Sequence, residues 1–274
     1  MRQKNADRGG GGVFDMVAVT ITLLVVSFIA LSLLSIIVGG LPYLGEALNT
    51  EEVRFSITVS LYTSTVSTFF CIVLSIPCAY AFARIKMPLK NVMQVIVELP
   101  LSMPYLVLGL CLLIVFSSPL GKALREMGFP VVFHKNGIIM AQLIVNLPFA
   151  IRLIRTEIEK IDRRLEFVAG TLGASRWQRF WTIILPQCKI SLLMAMILVW
   201  SRALGEFGAT LMLVGVTRMK TETLPGSIYL NISTGENGMA MASAMILLFI
   251  SAVTLVLTAF CNRKLQTETR LSEG

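Results

Sequence analysis

Long apolar runs alternate with short polar segments along the whole chain. A membrane hydrocarbon layer of about 30 Å needs about 20 predominantly apolar residues in a helix that crosses it. Five runs are long enough, and they cover residues 13–38, 57–83, 92–116, 183–216 and 240–260. A sixth run, residues 137–151, is shorter, and residues 130–133 would extend it past the polar step at 134–136. The pattern predicts an all-α, polytopic membrane protein with six transmembrane helices.

The composition agrees with this pattern and removes several classes of protein. Hydrophobic residues make up 55% of the chain and charged residues only 15%, and the mean hydropathy of +0.77 is far above that of a soluble domain. The sequence contains no GxxxxGKS/T phosphate loop, no GxSxG nucleophile motif and no HExxH metal motif. We therefore predict that the chain is not an enzyme, and we assign it no catalytic, cofactor-binding or metal-binding residues.

Positively charged residues collect at alternate ends of the predicted spans. Lys and Arg in short loops are retained on the cytoplasmic side of a membrane. With six spans and the N-terminus inside, 17 of the 24 Lys and Arg residues fall in cytoplasmic segments. This distribution predicts cytoplasmic tails at 1–12 and 263–274, which flank a transmembrane domain at 13–262 in the cell (plasma or inner) membrane. It also explains the net charge of +8 by topology, so we predict no binding to nucleic acid.

A polar, helix-forming segment, residues 156–182, separates the fourth and fifth predicted spans. From Thr156 onward apolar residues recur at spacings of three and four, which is the pattern of an amphipathic helix outside the bilayer. These apolar positions are Ile158, Ile161, Leu165, Val168 and Leu172. Gly173 then interrupts the pattern, and Ser175 with Gln178 has the spacing of a capping box that begins a new helix. Periodicity alone leaves open a helical hairpin that only lies on the membrane surface.

The same segment resembles the cytoplasmic loop of the permease subunits of binding-protein-dependent ABC importers. That loop has the form E-A-A, three residues, Gly, and then an apolar stretch that ends in Ile-x-Leu-Pro. The matching residues here are Gly173, Ala174, Phe180, Ile183, Leu185 and Pro186. The sequence departs from the form at its start, where Phe167 and Val168 stand in the Glu and first Ala positions. Ala169 keeps the second Ala position, and the nearest acid is Glu166.

The resemblance implies that this segment couples the membrane domain to an ATPase through a short cytoplasmic coupling helix. The residues assigned to the contact are Glu166, Phe167, Val168, Ala169, Leu172, Gly173 and Ala174. Because Phe167 stands where the motif has its glutamate, we expect the shape and apolar face of the helix to make the contact. We assign no chemical role to the acid at 166.

Arg202 and Glu206 are the only pair of opposite charges within a predicted span. Their i, i+4 spacing places them on one face of a helix, and the cost of a charge in lipid requires each to face protein or water. Three interpretations remain open: an internal ion pair that fixes helix packing, a direct contact of Arg202 with an anion, or a gate without ligand contact. The candidate residues for a gate or translocation path are Arg202, Gly205, Glu206, Gly208 and Thr210.

The string around this pair, SRALGEFGATLMLVG at 201–215, is similar to the fifth span of molybdate and tungstate permeases. Thr223-Leu224-Pro225 and Ile228-Tyr229 also resemble the loop that leads to the last span in that group. The resemblance implies the type I ABC importer permease fold and ATP-driven alternating access for a tetrahedral oxyanion. It further implies a homodimer, two ABC ATPase subunits that bind ATP and Mg, and an extracytoplasmic oxyanion-binding protein, with no cofactor on this chain. A sulfate or other oxyanion permease, and more remotely an ATPase-independent channel or carrier, remain alternatives.

Two further features concern the shape and lining of the spans. Hydroxyl groups on the second span serve either helix packing or a polar path. They belong to Ser56, Thr58, Ser60, Thr63, Ser64, Thr65, Ser67 and Thr68. Prolines predict kinks in the second to fourth spans. They are Pro77, Pro100, Pro104 and Pro148.

Overall fold

The computed structural model describes residues 11–272, and all regular elements in that range are helical. The longer helices are α1 (Gly11–Gly40), α3 (Glu51–Arg84), α5 (Tyr105–Ser117), α7 (Lys135–Lys160), α10 (Leu185–Leu204) and α13 (Asn237–Ser272). The shorter ones are α2 (Leu44–Asn49), α4 (Lys90–Glu98), α6 (Pro119–Glu126), α8 (Arg163–Thr171), α9 (Arg176–Arg179), α11 (Gly208–Val214) and α12 (Leu224–Ser233). Single turns of 3-10 helix at Leu41–Tyr43 and Leu99–Leu101, and a π-helix at Phe180–Ile184, join some of them.

The all-α prediction is confirmed, and the number of spans agrees with the predicted six. Five helical stretches are long and apolar enough to cross a membrane, and a sixth span is obtained if α4 and α5 form one bent unit. Most of the predicted tail at 1–12 lies outside the described residues, as do the last two positions of the tail at 263–274. The backbone of α13 remains helical to Ser272, so the C-terminal boundary at 262 does not coincide with a helix end.

The kink that the prolines predict in the third span is confirmed, and it is a complete break between two helices. Its two halves, Lys90–Leu101 and Tyr105–Ser117, meet at an angle of 110°. Pro100 lies in the 3-10 turn before the break, and Pro104 is the N-cap of α5. Proline has no N–H to donate and disfavours helical geometry in the residue before it, so two prolines this close end the first helix. By contrast, α3 and α7 continue through Pro77 and Pro148.

The fourth span is longer than the apolar run at its C-terminal end, whereas the sequence predicts an extension at its N-terminal end. His134 caps the start of α7 by accepting a hydrogen bond from the backbone N–H of Asn136, so residues 130–133 do not belong to the helix. The helix continues instead through Thr156 to Lys160, a total of 26 residues. At 1.5 Å per residue this is about 39 Å, which is long enough to cross the hydrocarbon layer.

The core lies where α3 and α7 pack side by side, with α10 against one end of the pair and α5 and α11 against the other. Six of the eight hydroxyl residues predicted to matter are buried there: Ser56, Ser60, Thr63, Ser64, Ser67 and Thr68. Ser67 Oγ lies 3.0 Å from Gln142 Oε1 of α7, and Gln142 Nε2 donates to the carbonyl of Ala203 on α10 at 2.9 Å. Of the two open interpretations, these contacts favour helix packing for the buried hydroxyls.

Helix α1 lies at the edge of this bundle. Its most apolar stretch has no buried residue, and its side chains from Phe14 to Leu34 are exposed. Its C-terminal end packs closely on α13, where a Cβ atom on Gly40 would lie 2.7 Å from the carbonyl oxygen of Met241. The close approach requires glycine at this position, and the rest of α1 contributes little to the core.

Candidate functional site

The segment between α7 and α10 forms a short helical hairpin, which we call the α8–α9 hairpin (residues 163–179). The amphipathic helix expected from Thr156 to Leu172 is wrong as one element, because α7 ends at Lys160 and Ile161 adopts an extended conformation. Asp162 then caps α8 by accepting a hydrogen bond from the N–H of Arg164 at 2.9 Å. The regularly spaced apolar residues therefore do not form one face of one helix, since Ile158 and Ile161 are buried in the core whereas Leu165 is exposed.

Gly173 makes the turn of the hairpin. Its φ of +88° lies in the left-handed region, where residues with a Cβ atom are disfavoured. The N–H of Ala174 donates to the carbonyl of Ala169 at 2.9 Å, the bond that closes a helix in a Schellman motif. Ser175 and Gln178 then form the predicted capping box, with both reciprocal hydrogen bonds present. The glycine break and the helix restart are both confirmed.

The hairpin presents large apolar side chains that this chain does not cover. The exposed fractions are 70% for Phe167, 55% for Val168, 83% for Leu172 and 69% for Trp177. Exposed apolar side chains grouped in this way mark a surface that binds another protein or the membrane. Ala169 and Ala174 are partly buried beneath this surface, and Gly173 is exposed at its end.

Glu166 faces the opposite way and has a structural partner that the sequence did not reveal. Its carboxylate lies 2.7 Å from Nε of Arg84, the last residue of α3, and the two side chains are only 14% and 6% exposed. Arg84 Nη2 also donates to the carbonyls of Ile158 and Ile161, at 2.8 and 2.7 Å. These are among the last carbonyls of α7, where a cation also complements the helix dipole. We call this set the Arg84 network.

Two more arginines strengthen the same junction. Arg179 Nη1 donates to the carbonyl of Glu166 at 3.1 Å, and Arg163 Nη2 donates to the carbonyl of Ala83 at 3.1 Å. Arg179 thereby links α9 to α8 within the hairpin, and Arg163 links the start of α8 to the end of α3. Sequence reasoning counted these arginines only as topology signals, because a contact between positions 84 and 166 leaves no mark in local periodicity.

The second candidate region is a polar cavity of about 380 Å³ beside Arg202, which we call the Arg202 cavity. Arg202 Nε donates to Oδ1 of Asn146 at 3.2 Å, and Nη2 donates to the hydroxyl of Tyr105 at 2.6 Å. The guanidinium carbon also lies 4.5 Å from the ring centre of Phe149. All these partners are electrically neutral. Sequence reasoning missed Asn146 and Tyr105, since they come from two other helices.

Glu206 does not form the ion pair with Arg202 that the i, i+4 spacing suggested. The fifth run is not one helix: α10 ends at Leu204, Gly205 follows as its C-cap, and α11 begins at Gly208. The Glu206 carboxylate is buried and accepts a hydrogen bond from the N–H of Ala209 at 2.8 Å, which stabilises the start of α11. No ion pair joins Arg202 to an acid of residues 14–260, whose side chains the structure describes. Two glycines three positions apart were a signal of this break.

The other candidates for a gate or path lie around the same break. Gly205 and Gly208 line the Arg202 cavity. A Cβ atom on Gly208 would lie 3.2 Å from that of Tyr105, so α11 packs closely on α5 there. Thr210 is buried, and its hydroxyl has no hydrogen-bond partner among the described residues. The structure therefore groups Arg202, Gly205, Glu206 and Gly208 at one cavity and places Thr210 in the packing beside it.

A smaller polar cluster lies between α11 and α12. Arg218 pairs with Glu52 at 2.6 Å, and both side chains are 34% exposed. Glu222 is buried beside them and accepts a hydrogen bond from the N–H of Met219 at 3.2 Å. Burial raises the pKa of the Glu222 carboxyl above its ordinary value, with a smaller contribution in the same direction from Glu52. This cluster fixes the loop that leads into α12.

The sequence and the fold both match known transport proteins. Residues 71–267 match the family described as binding-protein-dependent transport system inner membrane component. The molybdenum transport system permease protein ModB of Escherichia coli K12 is 34% identical over 207 residues, which cover 72% of this chain and 90% of that protein. The sulfate transport system permease protein CysW of Synechococcus elongatus is 31% identical over 235 residues, which cover 85% of this chain and 81% of that one.

The fold has relatives among solved structures as well. A chain in the crystal structure of a bacterial alginate ABC transporter, in complex with an alginate pentasaccharide-bound periplasmic protein, superposes with a TM-score of 0.71. The two chains are 19% identical and the match covers 92% of each, so the likeness concerns the fold alone. Taken with the family match, it shows that the chain belongs to the binding-protein-dependent inner membrane components: it is a multi-pass permease subunit of an ABC importer, with no catalytic activity and no cofactor of its own.

Proposed function

We propose that this permease imports a tetrahedral oxyanion of the molybdate or tungstate type. In this proposal two copies of the chain form the pathway, and two ABC ATPase subunits bind the cytoplasmic α8–α9 hairpins. An extracytoplasmic oxyanion-binding protein delivers the substrate to the opposite face. ATP-driven closure of the ATPases pushes the hairpins together and changes the side of the membrane to which the pathway opens.

The distribution of cations supports the orientation of the complex. The end of the bundle that carries the α8–α9 hairpin holds Arg84, Arg163, Arg176 and Arg179 together. An excess of Lys and Arg is retained on the cytoplasmic side. The proposal therefore places this end, both chain termini, and the tails at 1–12 and 263–274 in the cytoplasm.

Two features support a coupling role for the hairpin. Its apolar side chains Phe167, Val168 and Leu172 are exposed, as a surface that fits a groove of another protein requires. Its other side is fixed to α3 and α7 by the Arg84 network, so a push on α8 is transmitted to two membrane helices. Glu166 contributes to this role as the internal anchor of the hairpin, and Ala169, Gly173 and Ala174 contribute through the turn.

The observation that carries the substrate class is the Arg202 cavity. A cation at membrane depth is costly unless it has partners or a function. Arg202 donates hydrogen bonds only to neutral groups among the described residues, and Glu206, which lines the same cavity, forms no ion pair with it, so the guanidinium can bind an anion there. Gly205 and Gly208 leave room beside it, and Glu206 and Thr210 shape the adjacent break.

Sulfate is the second candidate substrate, and a specific observation favours it. A sulfate permease is 31% identical over 85% of this chain, and molybdenum permeases are 34% identical over 72% of it or 30% identical over 89% of it, so sulfate permeases match about as well as molybdenum permeases. Both are named for tetrahedral oxyanions or their metal, so the comparison supports the class more strongly than the ion. The string at 201–215 favours molybdate or tungstate.

Competitive uptake tests the substrate. The permease is reconstituted in proteoliposomes with its native ATPase and binding protein, and uptake of labelled molybdate is measured against unlabelled molybdate, tungstate and sulfate. We expect ATP-dependent uptake that tungstate suppresses strongly and sulfate weakly. A preference for sulfate would change the proposed substrate ion but keep the class of tetrahedral oxyanions. Uptake without ATP or without the ATPase would contradict ATP-driven import. The mass of the purified complex tests the two-copy arrangement.

A further inference from the structure

A second cavity, of about 320 Å³, lies between the end of α3 and the α8–α9 hairpin. Four of the eight residues that line it are arginines, and Glu166 is the one acid among them. The arginines are Arg84, Arg163, Arg176 and Arg179. The cavity is separate from the Arg202 cavity, with which it shares no lining residue. The proposed transport cycle uses some of its lining residues for coupling but assigns the cavity no ligand.

The charge in this cavity is not balanced by the protein that surrounds it. Arg84 and Glu166 neutralise each other in their ion pair. Arg163, Arg176 and Arg179 have no acidic partner among the described residues. The side chain of Arg176 makes no hydrogen bond within that range either. Three guanidinium groups around one cavity form a site for an anion with several acceptor oxygens, such as a phosphate group.

The position of the cavity indicates where that phosphate comes from. It lies where two candidate spans meet the cytoplasmic side, at the end of α3 and at the start of the stretch Arg176–Leu204. Trp177 and Trp181, which are 69% and 48% exposed, pack edge to face with their ring centres 5.4 Å apart beside Arg176. Exposed tryptophans at the end of a span favour the lipid headgroup layer, and basic pockets between spans on the cytoplasmic side bind anionic headgroups.

We propose that the arginine cavity binds the phosphate group of an anionic phospholipid in the cytoplasmic leaflet. The inference rests on the proposed orientation, with the α8–α9 hairpin in the cytoplasm. A bound lipid would link the end of α3 to the hairpin through Arg163 and Arg176. The lipid would therefore support the same junction that the Arg84 network holds from inside.

Lipid binding by the full-length permease in neutral detergent tests this site. The probes are short-chain phosphatidylglycerol, phosphatidylcholine of equal chain length, and inorganic phosphate, and native mass spectrometry measures the bound fraction. We expect phosphatidylglycerol to bind in preference to phosphatidylcholine. Arg176→Gln should weaken that binding about fivefold, the contribution of one cation near a charged headgroup. Arg163→Gln should have a similar effect.

Arg164→Gln is the matched control. Arg164 is an exposed arginine of the same hairpin, next to Arg163 on α8, and it does not line the cavity. Equal binding of phosphatidylglycerol to Arg164→Gln and Arg176→Gln would overturn the proposal. If millimolar inorganic phosphate displaces the lipid, the cavity is a phosphate site whose ligand is a soluble anion and not a lipid.

The competing occupant is an acidic group of the ATPase, because Phe167 also lines the cavity. If Arg176→Gln weakens ATPase binding and leaves phosphatidylglycerol binding unchanged, the lipid proposal is wrong. Lipid binding in detergent does not require transport. Its loss and the loss of oxyanion uptake are therefore separate results, and each tests one proposal.

Discussion

Two pairs of charged residues in this protein differ in whether their members bind each other. At the cytoplasmic end, Arg84 and Glu166 lie 82 positions apart in the sequence, yet they form a buried ion pair. In the fifth span, Arg202 and Glu206 are four positions apart, yet each is satisfied by uncharged groups. The Arg84 network is closed, because both charges are consumed within the protein. The Arg202 cavity is open, because no ion pair holds its cation even though Glu206 lines the same cavity.

The difference shows how the same residue types serve two ends. A buried pair with additional hydrogen bonds holds elements in one arrangement, since removing either partner leaves a charge without compensation. A cation held only by neutral hydrogen-bond acceptors keeps its orientation and its electrostatic field. The first arrangement suits the transmission of force from the α8–α9 hairpin, and the second suits transient contact with an anion.

Breaking the closed arrangement should give the largest effect on stability. Glu166→Gln leaves the buried Arg84 charge without its partner, and we expect a loss of about 3 kcal/mol in the free energy of unfolding. Glu159→Gln is the matched control, because it breaks the more exposed pair with Arg155 and should cost less than about 1 kcal/mol. Thermal unfolding of both variants in detergent measures the difference. Equal losses would mean that burial of the Arg84 network adds nothing.

Removing the open charge should affect transport more than folding. Arg202→Gln eliminates the cation in the cavity, and we expect uptake of the oxyanion to fall at least about tenfold, as for the loss of a hydrogen bond to a charged group. Glu206→Gln should retain uptake, because an amide oxygen still accepts the N–H of Ala209. Initial rates in proteoliposomes compare the two variants. Normal uptake by Arg202→Gln would remove this residue from the pathway.

A comparison of two glycines tests whether coupling depends on the position of the hairpin turn or only on the strain in its backbone. Gly173 and Gly128 have φ angles of +88° and +86°, and a Cβ atom on either would meet no heavy atom within 4 Å. Replacing either by Ala should cost about 1 kcal/mol, since the left-handed conformation disfavours a Cβ atom. Only Gly173→Ala should uncouple ATP hydrolysis from uptake. If both variants, or neither, uncouple the two activities, the hairpin has no special role in coupling.

The smallest effect concerns the polar cluster between α11 and α12. Burial raises the pKa of Glu222, so the folded protein holds this proton more tightly than the unfolded chain does. The contribution to stability is greatest at low pH and is lost as the pH rises from about 4.5 toward the raised pKa. Glu222→Gln should flatten this part of the stability profile. Identical pH profiles of the unfolding temperature would show that Glu222 does not titrate in this way.

The elements that sequence reasoning located correctly are those set by local patterns. Apolar length found the spans, and the left-handed Gly173 and the Ser175 capping box ended and restarted helices where their chemistry requires. The failures arose where a run was assumed to be one helix. The Gly205 to Gly208 stretch breaks the fifth run, whereas the break of the third run was predicted as a kink at Pro100 and Pro104.

Of the candidate sites, the exposed residues of the hairpin followed from the motif, but their anchorage did not. Arg84, Tyr105 and Asn146 contribute through contacts between distant helices. Such contacts depend on how helices pack, which the spacing of residues along one helix does not contain. The coupling and gating roles of the candidates stay predictions, as does the orientation of the termini.

Helix α1 leads to an expectation about sequence drift. Because its exposed side chains contact little of the protein core, most substitutions that keep it apolar should leave the packing of the bundle unchanged. The family match itself begins only at residue 71, well after α1. Gly40 is the exception, since its backbone lies against that of Met241. Among orthologous chains, we expect α1 to keep its hydrophobicity and this one glycine, while its other residues vary freely.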